Sequence, residues 1–305
     1  SSLRELGPAA ALPYWPLVRT QQHLATEPRQ LPLVSVLIRS MDRAQLPQAI
    51  ASVAAQTYPH IEIILLNASG HPHSPPGYPP QRLALRLIDP PPDTPSSTAP
   101  CGRARAANLA LQACSGDLAL FLDDDDLLQA HHIERLVQQL AERSAAIAAY
   151  AGVRVETHDG VFVRNYDIPW SRERLAGINF LPIHAVLFRV QPVRAAQARF
   201  DEELPVLEDW DFWCQIARLG DMAHCPGVSA VYRQGYGQSD LGNPESNNYW
   251  KHWHHRLLQR SIARNPPETT SATLAWHAIA LDQTQSLADA HQQAIAGQGH
   301  LRDAI

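Results

Sequence analysis

Lysine is almost missing: Lys251 is the single one among 25 basic residues, the others being arginine. Set against 30 acidic residues this leaves a net charge of −5, and the basic footprint of a nucleic-acid binder is absent. Long apolar runs are missing too. The longest spans about nine residues, Ala145 to Val153, where a membrane-crossing helix needs about 20, so no transmembrane segment is expected. Cysteine is scarce. Cys101, Cys114, Cys214 and Cys225 include no Cys-x-x-Cys pair, which excludes zinc-ribbon and thioredoxin-type readings. Reduced thiols are expected. No apolar leader follows the first residues, and a cytoplasmic location is expected, with the inner face of a membrane as the other option. The opening Ser1-Ser2 carries no methionine, so a trimmed chain or a piece of a longer one is expected. What is present is 305 residues, 45% of them hydrophobic, enough to bury the core of one large domain or two modest ones.

The hydrophobic pattern gives the organisation. Residues 1–30 are punctuated by Pro8, Pro13, Pro16 and Pro28 and read as an arm. Val34–Ile38 and Ile61–Leu66 are short β-branched apolar runs typical of buried strands, with helical spacing between them. Strand, helix and strand in this order imply a parallel sheet. A third strand is expected at Leu83–Ile88, a helix at Arg103–Cys114, a fourth strand at Asp117–Leu122 and a helix at His131–Arg143. Alternation in Val153–Thr157 and Val161–Arg164 around His158-Asp159-Gly160 signals a hairpin. Strands at Ala185–Phe188 and Val228–Tyr232 flank an amphipathic helix at Glu208–Leu219, and helices are expected over 246–264 and 270–296.

Two acidic clusters carry the chemistry. Asp123-Asp124-Asp125-Asp126 stands at the carboxyl end of a buried strand, where open α/β sheets bind ligands. One aspartate could cap the next helix, but four adjacent carboxylates repel one another and call for a bound cation. Hard divalent ions with oxygen ligands suit them. The second cluster, Glu208-Asp209, is either an acidic first helical turn or a general base held beside large aromatics.

Taken together, and in strand order, these pieces resemble an inverting family-2 glycosyltransferase with the GT-A fold, bacterial and non-processive, over about residues 31–235. Leu33–Arg43 resembles the first strand and its nucleotide-contacting turn. Ala51–Pro59 followed by Ile61–Ile64 is similar to the helix-to-strand passage. Arg105 and Asn108 match the helix before the metal motif. Gly116–Asp126 resembles the strand with its Asp-x-Asp. Phe200–Leu204 with Glu208-Asp209 resembles the acceptor loop and acid pair, and Tyr232-Arg233 the closing strand.

The resemblance implies a mostly parallel central sheet flanked by helices. Residues 31–127 would form the nucleotide-binding half, 128–235 the acceptor half and 236–305 a helical extension. It implies a metal-dependent inverting transfer of a sugar from a nucleotide-diphosphate donor, expected to be a UDP-sugar, to a glycan, lipid-linked or protein acceptor. The setting would be bacterial surface glycan synthesis or protein glycosylation. Mn²⁺ or Mg²⁺ would be held by Asp125 and Asp123. Arg39, Ser40, Asp42, Asn67, Arg105, Asp123 and Asp124 would face the nucleotide sugar. Asp209 would be the base, with Glu208 beside it and Asp126 supporting the loop.

Two departures stand out. Strand two ends in Asn67-Ala68-Ser69-Gly70, where the family usually has two aspartates, and Gly235 occupies a position where relatives often carry a metal-binding His. His184 and His224 are candidate substitutes, each also readable as a packing histidine. The paired histidines at 131–132 and 254–255 read as packing or surface residues. Trp170, Trp210 and Trp213 are either a sugar-stacking rim or core. No Gly follows the first strand in Arg39–Arg43, which argues against a nucleotidyltransferase. The Asp cluster follows strand four, which argues against an aspartyl phosphatase. A non-catalytic nucleotide-sugar or glycan-binding module remains the alternative.

Overall fold

β1 (Val34–Ser40) has every residue buried, because parallel strands cover both of its edges. β2 (Ile61–Asn67) and β4 (Leu118–Asp123) are those neighbours, and all three read as continuous apolar runs because helices cover their faces. In the computed structural model, described here for residues 31–73, 83–91, 100–235, 244–264 and 269–279, these strands form the heart of a nine-stranded sheet. β3 (Ala84–Ile88) closes the parallel edge beside β2. Beyond β4 the sheet turns mixed: β8 (Val186–Arg189) is antiparallel to β4, β6 (Ala148–Thr157) antiparallel to β8, and β9 (Met222–Gln234) parallel to β6. The two-residue β5 (Leu127–Leu128) pairs with β9, and β7 (Phe162–Tyr166) makes the expected hairpin with β6.

The helices follow their apolar spacing. In α1 (Leu46–Ala54), Leu46, Ala49, Ile50 and Val53 are buried at i, i+3, i+4 and i+7, and a proline in the first turn costs no hydrogen bond. The alanine-rich α2 (Arg103–Ala113) packs flat on β1 and β2. Gly116 lets the chain pass close to β1: an added Cβ would lie 2.6 Å from the Leu33 carbonyl oxygen. α3 (His132–Glu142) buries Ile133, Leu136 and Leu140. Two one-turn helices, α4 (Arg172–Gly177) and α5 (Val190–Ala195), are too short for a periodic signal.

α6 (Glu208–Leu219) sits where the pattern places it. Its Phe212 stacks on Phe200 at 4.2 Å between ring centres and meets Phe121 and Phe188 edge-on. This aromatic knot seats α6 against β4 and β8, and so fixes the helix that carries the second acid pair. Trp210 and Trp213 are buried, their indole N–H groups donating to the carbonyls of Leu175 and Leu181. They are core, as helical spacing beside Phe212 requires, and form no sugar-facing rim. Trp170 packs on Tyr150 and donates to Asp221.

β9 runs thirteen residues, well beyond the expected Val228–Tyr232, because His224, Pro226 and Gly227 interrupt its apolar pattern while shifts in register keep it paired to β6. Beyond it, α7 (Pro244–Arg264) buries Leu257 and Leu258 and stacks His254 on Trp210 at 4.5 Å. Residues 270–279 are helical as well. The expected arm, 1–30, the loop residues 74–82 and 92–99, and the expected helix beyond 279 lie outside the described residues. No helix among the described residues is long and apolar enough to cross a membrane.

Candidate active site

The ends of β1 and β4 lie side by side, with Arg39 opposite Asp123, so the turn after β1 and the acidic run after β4 share the carboxyl edge of the sheet. The four aspartates then diverge. Asp123 grips Arg39 with both oxygens, at 2.7 Å to Nε and 2.8 Å to Nη2. Asp124 is fully buried and holds the β1 turn together. It accepts from the Ser40 hydroxyl at 3.0 Å, from the main-chain N–H of Met41 at 2.7 Å and of Arg43 at 3.3 Å, and pairs with the Arg43 guanidinium. Asp126 accepts the Arg233 N–H at 2.9 Å and lies 3.0 Å from His184 Nδ1. Among the described residues Asp125 has Arg43 as its one cationic neighbour, at 3.7 Å.

One carboxylate oxygen from each of Asp123, Asp125 and Asp126 lies within 4.8 Å of the others. Burial, then the charges of Asp126 and Asp123, push the Asp125 carboxyl up to about 7. Burial would raise Asp123 as well, but the Arg39 guanidinium overrides it and holds that carboxyl at about 2. Oxygen-only donors with surplus negative charge fit a hard divalent cation. His184, fully buried beside Asp126, is the histidine nearest this cluster, with Nε2 lacking a hydrogen-bond partner. His224 is elsewhere, bonded to Asp167 and stacked on Tyr150.

Across the site, Leu207 takes a left-handed conformation (φ 61°) immediately before α6. Such a backbone is rare for a leucine and re-aims the first helical turn. Glu208 is buried, with Oε1 at 3.0 Å from Arg39 Nη1 and 3.2 Å from Arg103 Nε, and Oε2 without a hydrogen-bond partner. Among the described residues Asp209 makes no ion pair; its Oδ1 accepts the Trp210 N–H at 2.8 Å. Burial, then the Glu208 charge, push the Asp209 carboxyl up to about 6. The pair is thus split into an acid clamped by two guanidiniums and a neighbour whose carboxyl is raised.

The other expected residues fall into place unevenly. Ser40 bonds His73 Nε2 at 2.8 Å, and Asp42, left-handed at φ 59°, lies 3.4 Å from His73 Nδ1. Asn67 is consumed locally: its amide N–H groups donate to the His71 carbonyl and Asp89, and its oxygen accepts from Ser69. It therefore shapes the turn after β2 and offers no spare group to a nucleobase. Arg105 donates to the Pro91 carbonyl. Asn108 fixes the Phe200–Leu204 loop, exchanging hydrogen bonds with Phe200 N–H and C=O and donating to Glu202. Arg43, His73 and Arg103 were not expected. Arg43 adjoins the expected turn and was within reach of a sequence reading; His73 and Arg103 lie in stretches without a motif of their own.

Comparison with known proteins agrees with this architecture. Residues 97–204 match the family model of glycosyl transferase family 2. A Haemophilus influenzae protein described as an uncharacterized glycosyltransferase is 28% identical over 235 residues, covering 71% of this chain and 70% of that protein. A Rickettsia bellii protein with the same description is 26% identical over 250 residues, covering 76% of this chain but only 35% of its own length. Staphylococcus aureus TarS 1–349 in complex with UDP-GlcNAc superposes with a TM-score of 0.60 at 15% identity, covering 80% of this chain and 72% of that one. The mannosyltransferase PcManGT from Pyrobaculum calidifontis, in complex with GDP-Man and Mn²⁺, does so with a TM-score of 0.54 at 18% identity, covering 88% and 76%.

Proposed function

We propose that this chain, a glycosyltransferase of the family-2 type on a GT-A sheet, transfers a sugar with inversion from a nucleotide-diphosphate donor to an acceptor hydroxyl. The observation that carries the reading is the pairing of a crowded oxygen cluster, Asp123, Asp125 and Asp126, with a carboxyl raised by burial and the Glu208 charge, Asp209. The acidic trio would hold Mn²⁺ or Mg²⁺, which when bound supplies positive charge against the diphosphate leaving group. Asp209, ionised at neutral pH, takes the acceptor proton as that oxygen bonds to the anomeric carbon. The bond from that carbon to the diphosphate breaks on the opposite face, the nucleoside diphosphate departs with its electrons, and the centre inverts. Ser40, Asp42 and Arg43 line the turn assigned to the nucleotide, and residues 31–127 form the donor half. Residues 128–235 form the acceptor half, and within 236–305 the described helices form an extension whose α7 backs α6.

A UDP-sugar is the favoured donor and a single-addition reaction on a bacterial glycan, lipid-linked or protein acceptor the favoured setting. Titration calorimetry of UDP and GDP, with Mn²⁺ and with EDTA, tests this. Metal-dependent binding of one nucleotide is expected, followed by slow hydrolysis of the matching nucleotide sugar. Absence of binding to every nucleotide in the presence of Mn²⁺ would remove the reading.

A further inference from the structure

One guanidinium joins the two halves of this site. Arg39 is 5% exposed, and its flat fork engages Asp123 with Nε and Nη2 while Nη1 reaches Glu208. Asp123 ends β4, and Glu208 begins α6. A planar guanidinium can satisfy two carboxylates in fixed directions; a lysine ammonium, a point charge on a flexible stem, cannot reproduce that fork. Arg103 adds a second cation to Glu208 from the more exposed start of α2. Among the described residues no cation stands within ion-pair distance of Asp209; Arg103 and Arg39 act on it only from farther off, and burial with the Glu208 charge outweighs them.

We infer that Arg39 is the positioning residue that assigns roles within the acid pair: it clamps Glu208 in a fixed direction, ties it in register with Asp123, and leaves Asp209 to accept the proton. The inference rests on the transferase reading above. It explains why two adjacent acids at the start of one helix differ: Glu208 lies against two guanidiniums, while burial and the Glu208 charge raise the Asp209 carboxyl. The Glu208 charge beside Asp209 then makes Asp209 a stronger base, and the link to Asp123 holds that base at a set distance from the donor side.

The test is a set of variants of the full chain, Arg39→Lys, Arg39→Met, Glu208→Gln and the double Arg39→Met/Glu208→Gln. Each is followed by thermal melting, donor KM, kcat and the pH profile of kcat. Arg39→Lys is expected to fold and to lose at least about tenfold in kcat with little change in donor KM. Glu208→Gln is expected to move the acid limb of the pH profile downward, because Asp209 loses its charged neighbour. Arg39→Met should lower the melting temperature by leaving Glu208 buried without its main cation, and the double variant should recover part of that loss. Strictly additive melting shifts would overturn the clamp. So would wild-type kcat and an unmoved pH profile in both Arg39→Lys and Glu208→Gln. If the wild-type chain turns over no nucleotide sugar, the transferase reading fails, while the melting cycle still decides whether Arg39 and Glu208 act as a unit.

Discussion

Replacing Asp209 by asparagine should separate catalysis from stability, with opposite signs. The amide keeps the shape of the side chain and its contact with the Trp210 N–H but removes the basicity. Loss of a general base typically costs about 10²–10⁴ in rate, roughly 3–5 kcal/mol of barrier. The stability effect follows from the raised carboxyl. An ordinary aspartate ionises near 3.8 and this one near 6, so above that range the folded state carries a charge it disfavours. About two pKa units at roughly 1.4 kcal/mol each set an upper bound near 3 kcal/mol; because Asp209 is only partly buried, about 1–2 kcal/mol is the expected gain of Asp209→Asn at pH 7. The sign runs with pH. Below about 4 the carboxyl is protonated in folded and unfolded chains alike and the gain vanishes; it grows between about 4 and 6 and is then constant. The wild-type rate should meanwhile fall about tenfold from pH 7 to pH 5, as the ionised fraction drops from about 90% to about 10%. Calorimetric melting from pH 3.5 to 8, together with initial rates over the range where the protein stays folded, reads both effects. An Asp209→Asn variant that turns over like the wild type, or melts lower at pH 7, would refute the reasoning.

Three further outcomes are expected. Asp125→Asn should abolish the part of nucleotide affinity that EDTA removes, and equal calorimetric affinities for variant and wild type would contradict that. Asn108→Ala strips the partners from the Phe200 main chain and should cost about 1–3 kcal/mol in a urea melt, with reduced acceptor-side activity. Gly116→Ala places a Cβ within 2.8 Å of Leu33 O, Ser35 Oγ and Leu118 O; a loss of about 1–3 kcal/mol is expected, and unchanged denaturant midpoints would show that β1 and β4 yield at that point.

The parallel core was legible because strands buried on both faces leave unbroken apolar runs, as in Val34–Ile38 and Ile61–Leu66. The acidic clusters were legible because charge at the end of such a run is conspicuous. What each carboxylate does was not. Asp123 to Asp126 are equivalent as letters, and only the curl of the backbone sends one to Arg39, one into the β1 turn and one to β9. Asn67 has the hydrogen-bonding capacity for a nucleobase, yet Ser69, His71 and Asp89 use it first. Trp210 and Trp213 carry the same signal as core or as rim, and the decision comes from α4 and α7, whose contacts with α6 are long-range. Arg39 could be placed in the first turn, but its second acid lies 169 residues away.

Asp126 is held on one oxygen by the main-chain N–H of Arg233, in the last stretch of β9. An amide belongs to every residue except proline, so this anchor asks nothing of the side chain at 233. Natural sequences could therefore drift at that position while the acid it supports stays fixed, and proline is the one substitution the anchor itself forbids. Function here leaves an imprint on the geometry of a neighbouring strand without leaving one on its letters, and a search for the supports of this site by residue identity alone would pass over it.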